Sequence, residues 1–437
     1  MSNNQRVKPN DASQLEAIEL NDWLVKIECF HPKEIELGLS RIKDIAGSLG
    51  LLKPNAKVVI VGGTNGKGSC VATLESLALQ SKLKVGCYTS PHLMMFNERI
   101  RINGANVSDK ALNEAFRQIE KWRGEVPLTF FEFTTLAALQ IFSTQKLDLI
   151  VLEVGLGGRL DAVNIINPNV AIITTIAKDH TDWLGDTLEE ISVEKSGIFR
   201  ATSLNLVGDV KTFELLKKSI SDLELSFRLT IDNELNAIPL LEHLSDTQVN
   251  PYQLKRQNIE LALTCFTYLF RNLSQHIDLK NILKNICLTG RFQKIQNMPQ
   301  VIIDVAHNPQ AASNLLNQIE SLSCNGCRIA ICGLMSDKAV KEYLQILDKS
   351  IDVWLFVDLP SKRATLATDL KRFLTFDQND RSNITSKHKT FSHMSLACEY
   401  ANEIMSSDDH LYIMGSFITV SEFLKLEKEF QINDSAL

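Results

Sequence analysis

The chain of 437 residues contains no run of eighteen apolar residues, and its opening, Met-Ser-Asn-Asn-Gln-Arg-Val-Lys-Pro-Asn, is polar with no apolar stretch. A membrane-spanning helix needs about 20 such residues and a secretory leader needs an apolar segment near its start, so a cytoplasmic, non-membrane protein is predicted. No basic block occurs either. The 46 Lys and Arg stand against 52 Asp and Glu for a net charge of −6, which argues against a nucleic-acid partner. No repeat of about 20–50 residues is visible, which excludes a solenoid. The nine cysteines are scattered, with Cys70, Cys265 and Cys332 inside apolar segments, so reduced thiols and no disulfide framework are expected. Cys324 and Cys327 have C-x-x-C spacing, but an Asn-Gly turn lies between them and no second pair follows, so neither zinc nor redox chemistry is expected there.

What is present is the balance of a globular protein, with 44% apolar and 22% charged residues. The length suggests two domains. Strand-like runs at 58–61, 85–88, 149–153, 170–173 and 204–207 alternate with helical patterns at 67–82, 131–145 and 188–199. Residues 225–252 read as irregular, and 253–273 and 278–287 return to helix. A second strand–helix series follows at 301–304, 328–332, 353–357 and 411–414, with 290–299 between the two series as a linker. Such alternation predicts an α/β fold of two domains. The first, over 1–293, is a doubly wound, mostly parallel sheet with a phosphate loop, and the second, over 294–437, is a smaller Rossmann-like α/β domain. Ligands in this architecture sit at the carboxyl ends of strands.

The most informative segment is Val58-Val-Ile-Val-Gly-Gly-Thr-Asn-Gly-Lys-Gly-Ser69, a β-branched strand running into a glycine loop that holds one lysine and ends on a hydroxyl. Glycine lets backbone N–H groups turn toward phosphate oxygens, and Lys67 adds a point charge, so nucleoside triphosphate binding is predicted. The loop is a variant of G-x-x-x-x-G-K-[ST], because Val61 stands at the first glycine position and Gly68 separates Lys67 from Ser69.

Other strand ends carry polar residues. Glu153 ends an apolar run and precedes Val-Gly-Leu-Gly-Gly158, the place of a magnesium-holding acid, with a solvated loop glutamate as the plainer reading. His180, in Ala-Lys-Asp-His-Thr181, lies just beyond another strand, and composition alone leaves it unassigned. Asp304-Val-Ala-His-Asn-Pro309 repeats the arrangement, with Pro309 fitting a helix start as well as a functional loop. Arg291 reads equally as a surface charge or a phosphate clamp.

Eight ordered segments together resemble the folylpolyglutamate synthase/dihydrofolate synthase family. They are Gly63–Ser69, Thr89–Leu93, Asn97–Gly104, Leu152–Ala162, Asp179–Thr181, Glu194–Phe199, Gly290–Phe292 and Asp304–Pro309, and they span nearly the whole chain. The resemblance implies a ligase related to the Mur ligases, joining a pteroate or folate carboxyl to the amine of L-glutamate with cleavage of ATP. The carboxylate attacks the γ-phosphate, and the amine then displaces phosphate from the acyl phosphate. Positioning and charge neutralisation carry such catalysis, in keeping with a sequence that offers no Ser-His-Asp or Cys-His set.

By the same resemblance, Thr64, Asn65, Gly66, Lys67, Gly68 and Ser69 would bind ATP, together with Asn258, Arg291 and Asp304. Ser90 and Glu153 would hold one Mg²⁺, and Glu153, His180 and Lys195 a second. A lysine ammonium cannot ligate a cation, and the family's solution is a carbamate on that lysine. Without the resemblance, Lys195 reads as a helix-surface lysine beside Glu194. His307 falls in a motif placed near the reacting phosphate. Glu36, Leu37, Gly38 and Leu39, then Thr129, Phe130, Phe131 and Glu132, then Leu160, Asp161 and Ala162 resemble the pterin-contacting segments of bifunctional members, which implies use of both dihydropteroate and tetrahydrofolate. Glu36 stands where those relatives commonly carry Asp. Of Phe130, Phe131 and Phe133, some are expected to stack on a pterin and some to be core. A monomer is expected. The alternatives are chain extension alone, a Mur-type ligase of UDP-muramyl peptides, whose loop lysine is usually followed directly by a hydroxyl residue, and a non-catalytic nucleotide-binding module.

Overall fold

The computed structural model describes residues 18–33, 35–221, 225–229, 254–274, 277–286, 288–375 and 388–434, with backbone alone from 428. The irregular reading of 225–252 falls mostly outside them. Two compact units result: Met1–Ile176, Trp183–Asn250 and Leu254–Ile286 form the first, and Ala177–Asp182 with Cys287–Leu437 fall in the second.

Among the described residues the first unit is built on eight strands: β1 Lys57–Gly62, β2 Val85–Tyr88, β3 Ile100–Ile102, β4 Ala105–Asn106, β5 Leu149–Glu153, β6 Val170–Ile173, β7 Leu204–Val207 and β8 Arg228–Leu229. Their order is β4-β3-β2-β5-β1-β6-β7-β8. Every pair from β2 to β8 is parallel, and β3 and β4 close one edge antiparallel. β1, β5 and β6 are buried on both faces, which is why they read as continuous Val, Ile and Leu runs rather than as alternation. β1 lies between β5 and β6, so the loop after β1 opens where successive crossovers part to either side.

The second unit holds β9 Gln293–Asn297, β10 Gln300–Asp304, β11 Arg328–Cys332, β12 Val353–Val357, β13 Lys389–Phe391 and β14 His410–Met414, in the order β13-β12-β11-β14-β10-β9. All pairs are parallel except β9 with β10. Here the linker expected at 290–299 is corrected. Residues 293–297 form an edge strand, with Gln296 opposite Val301 and Gln293 opposite Ile303. An edge strand needs only one apolar flank, and its Gln-Lys-Ile-Gln-Asn composition imitates a linker.

Candidate active site

The phosphate loop leaves β1 at Gly62 and enters helix Lys67–Gln80. Gly63 has φ +131°, and a Cβ there would lie 2.0 Å from Thr174 Oγ1; Gly66 has φ +91°, and its Cβ would lie 2.6 Å from Asn258 Nδ2. Neither position admits a side chain. The loop is braced from the residues just past β6: the Thr64 N–H donates to Thr175 O (2.7 Å), the Asn65 N–H to Thr175 Oγ1 (3.2 Å), and Thr174 Oγ1 donates to Asn65 O (2.7 Å). Lys67 Nζ folds back onto Gly63 O (3.1 Å) and Thr64 O (3.2 Å), holding its charge over the loop. At Gly68, in the first helical turn, a Cβ would meet nothing within 4 Å. The extra glycine therefore faces open space at the positive end of a helix, which suits phosphate.

Glu153 ends β5 one strand away and is 6% exposed, which excludes the solvated-loop reading. The Ser90 N–H donates to its Oε2 (3.3 Å), bringing the segment after β2 to this carboxylate. Lys195 is also buried, at 5% exposure, with Nζ 3.3 Å from Gly63 O, so the surface-lysine reading fails. Its helix, Leu188–Ser196, starts on a Thr187/Glu190 capping box. The last turn is locked from below. The Arg159 N–H donates to Glu194 O (2.7 Å), and Asn164 Nδ2 donates to Arg159 O (2.9 Å) and Gly197 O (3.0 Å). Glu194 pairs with Arg159, leaving the neighbouring lysine to point inward.

The three segments assigned to a pterin converge in this unit. Arg41 joins two of them: its Nη2 donates to Glu36 O (2.7 Å) and its Nε to the Glu132 carboxylate (2.9 Å). The Glu36 carboxylate contacts His31 Nε2 (2.9 Å) and Arg41 Nη1 (3.4 Å). Leu37 and Gly38 lead into Leu39, the residue before helix Ser40–Ser48. Thr129 and Glu132 cap helix Phe130–Ser143 reciprocally. Phe133 is fully buried core, whereas Phe130 and Phe131 are half-buried. Phe131 stacks on Tyr88 and presses on the loop leading to the third segment, since a Cβ on Gly155, whose N–H bonds Asp161, would lie 2.6 Å from its ring. In that segment Leu160 is half-buried and Ala162 buried. Asp161 accepts from the N–H groups of Gly155, Leu156 and Val163 at 2.8–3.0 Å, which gives it a loop-building role. Burial pushes its carboxyl up to about 6, with those N–H donors opposing the rise.

In the second unit, Asp304 ends β10 and accepts from the N–H groups of Phe292 and Ala306, both at 2.7 Å; burial raises its carboxyl above the usual range against the nearby Arg291 charge. Arg291 itself lies over the Phe417 ring, with Cζ 5.3 Å from the centroid. His307 Nδ1 donates to Val305 O (2.9 Å), since a carbonyl only accepts, and Nε2 lies 3.6 Å from the Asp179 carboxylate. Asn308 caps helix Pro309–Ser321 and donates Nδ2 to Asp179 (3.2 Å). Asp179 and His180 belong to this unit. Lys338 Nζ lies 2.6 Å from Asp179 Oδ1 and 3.1 Å from His180 Nε2, and Asp337 is 3.8 Å from His180 Nδ1. Burial pushes His180 down to about 4, and the Lys338 ammonium adds to this against the pull of Asp179. Asp179 is held well below the carboxylate range: burial opposes that, but the neighbouring His307 imidazole and the His180 and Lys338 charges prevail. Asp179, Asp337 and Lys338 received no role from the sequence; only the Asp179–His180 pairing carried a signal.

The Mur ligase middle domain matches residues 61–236, and the Mur ligase glutamate ligase domain matches 290–417. The dihydrofolate synthase/folylpolyglutamate synthase of Escherichia coli (strain K12) is 36% identical, over 94% of this chain and 96% of that protein. The Haemophilus influenzae protein of the same name is 37% identical, over 92% and 96%. Among solved structures, E. coli FolC in complex with DHPP and ADP superposes with a TM-score of 0.82 at 32% identity, over 95% of this chain and 99% of that one. A bifunctional folylpolyglutamate synthase/dihydrofolate synthase with Mn, AMPPNP and L-glutamate bound gives 0.83 at 34% identity, over 96% and 100%. With the phosphate cradle, the buried Glu153 and Lys195 and these full-length likenesses in hand, the chain belongs to the dihydrofolate synthase/folylpolyglutamate synthase family of Mur ligases.

Proposed function

We propose that this protein is an ATP-dependent ligase that adds L-glutamate to 7,8-dihydropteroate, forming dihydrofolate, and to tetrahydrofolates, forming polyglutamates. The observation that carries the reading is the grouping in one unit of the Gly63–Ser69 cradle, Glu153, and Lys195 at the Gly63 carbonyl. In this reading the cradle N–H groups and Lys67 hold the ATP phosphates, joined by Asn258, Arg291 and Asp304, and offset the charge that develops as the substrate carboxylate attacks the γ-phosphate. The acyl phosphate then yields to the glutamate amine, with His307 of the second unit assigned to the neighbourhood of the reacting phosphate.

Ser90 and Glu153 offer the oxygen donors that a hard cation prefers, and the Ser90 contact to Glu153 fits them for Mg²⁺. Glu153, His180 and Lys195 would hold a second ion, with Lys195 carbamylated to supply oxygen in place of ammonium. Magnesium would neutralise phosphate charge when bound. The pteridine would lie among Glu36–Leu39, Thr129–Glu132 and Leu160–Ala162. We take the molecule to act as a monomer on small molecules in the cytoplasm; among the described residues no helix is long and apolar enough to cross a membrane.

ADP release with Mg²⁺-ATP and L-glutamate, comparing 7,8-dihydropteroate with tetrahydrofolate, tests the reading. Turnover is expected with both. Turnover with tetrahydrofolate alone restricts the enzyme to chain extension, the outcome to which Glu36 in place of Asp would point, and silence with both overturns the proposal.

A further inference from the structure

We propose that Arg41 is a positioning residue of the pteridine site, whose guanidinium sets the spacing between the 36–39 segment and the first turn of helix Phe130–Ser143. The inference rests on the folate-ligase reading above. Residues 35–38 adopt no regular structure, so no helix or sheet ladder holds their backbone in place. Arg41 does so, donating Nη2 to Glu36 O at 2.7 Å while its Nε lies 2.9 Å from Glu132 and its Nη1 3.4 Å from the Glu36 carboxylate. Its side chain is itself largely buried, at 18% exposure.

The helix does not need Arg41 for its own cap. Glu132 already accepts from Thr129 N and Thr129 Oγ1, both at 2.9 Å, and the Glu132 N–H donates back to Thr129 Oγ1 at 3.3 Å. What the guanidinium adds is a tie between that cap and the backbone of a stretch of chain that lies outside any helix or strand. Phe130 and Phe131, the half-buried rings of the same first turn, are thereby held at a fixed distance from the 36–39 backbone. A planar fork of five donors serves this geometry, and a lysine, a single point of charge, cannot hold the Glu36 carbonyl and the Glu132 carboxylate together.

The test compares wild type, Arg41→Lys and Arg41→Ala by steady-state ADP release, varying pteridine, ATP and glutamate in turn, with the folded fraction followed by circular dichroism. The expected result for Arg41→Ala is a KM for dihydropteroate and tetrahydrofolate raised about tenfold or more, from the loss of charge-assisted hydrogen bonds, with kcat and the KM for ATP nearly unchanged. Arg41→Lys is expected between the two, and it carries the test if the alanine variant does not fold. An unchanged pteridine KM in Arg41→Lys and Arg41→Ala, or a fall in kcat that only follows the folded fraction, overturns the role of Arg41 and leaves the ligase reading intact. A wild type silent with both pteridines overturns the ligase reading and this inference with it.

Discussion

Gly66 shows how narrowly the cradle is specified at the level of one residue. Its φ of +91° lies in the left-handed region, and a methyl there would lie 2.6 Å from Asn258 Nδ2 and 2.7 Å from Oδ1. Gly66→Ala is expected to cost about 1–3 kcal/mol in urea unfolding and to raise the KM for ATP. Adding Asn258→Ala removes the clash but not the backbone strain, so stability should return only in part. Asp161 makes the matching electrostatic case. Its carboxyl titrates near 6 when folded, above the value of about 4 in an unfolded chain, so the folded state takes up its proton more readily. Stability from this group is fully present below about pH 4 and is lost as pH rises to about 6. The stability of wild type relative to Asp161→Asn, measured by denaturant unfolding, should therefore fall between those pH values and level off above them. A difference that rises with pH would contradict the assignment.

At the scale of the element, helix Leu188–Ser196 is short and depends on its ends. Thr187→Ala removes the cap that accepts from the Glu190 N–H and is expected to cost about 1 kcal/mol, read as a lower Tm, with kcat little changed. Asn164→Ala acts at the other end. It strips a donor from the carbonyls of Arg159 and Gly197 in a buried setting, at a cost of about 1–3 kcal/mol, and it loosens the turn that carries Lys195, so kcat should fall as well. Comparing Tm with kcat for the two variants separates support of the helix from support of the lysine. Elements differed in how plainly they could be read. β1, β5 and β6, apolar on both faces, announced themselves, whereas β9 was hidden by polar edge composition, and the β3–β4 hairpin over 100–106 went unread despite its Asn103-Gly104 turn, a recognised hairpin signal.

At the scale of the molecule, a ligand that binds only the folded state raises its stability. A non-hydrolysable ATP analogue with Mg²⁺ at about 100 times its Kd should stabilise the protein by about 2.7 kcal/mol, seen as a rise in Tm. Lys67→Ala should abolish that rise and turnover together while leaving the unliganded Tm near wild type, because Lys67 makes its described contacts to loop carbonyls rather than to the core. An undiminished ligand shift in the variant would remove Lys67 from the nucleotide site.

The sequence by itself determined the α/β class, the place of the phosphate loop and the family, because these rest on local signals: β-branched runs, glycine spacing and ordered motifs. Tertiary structure alone decided which polar residues meet. It buried Lys195 against Gly63 although its neighbour Glu194 is held by Arg159, gave His180 to the Asp179–Lys338 cluster of the second unit, and placed Arg41 between Glu36 and Glu132, 91 positions further along the chain than Arg41. Local propensity reports what a residue does to its own backbone. Contacts between segments far apart in sequence depend on how sheets and helices pack, and no short pattern encodes them.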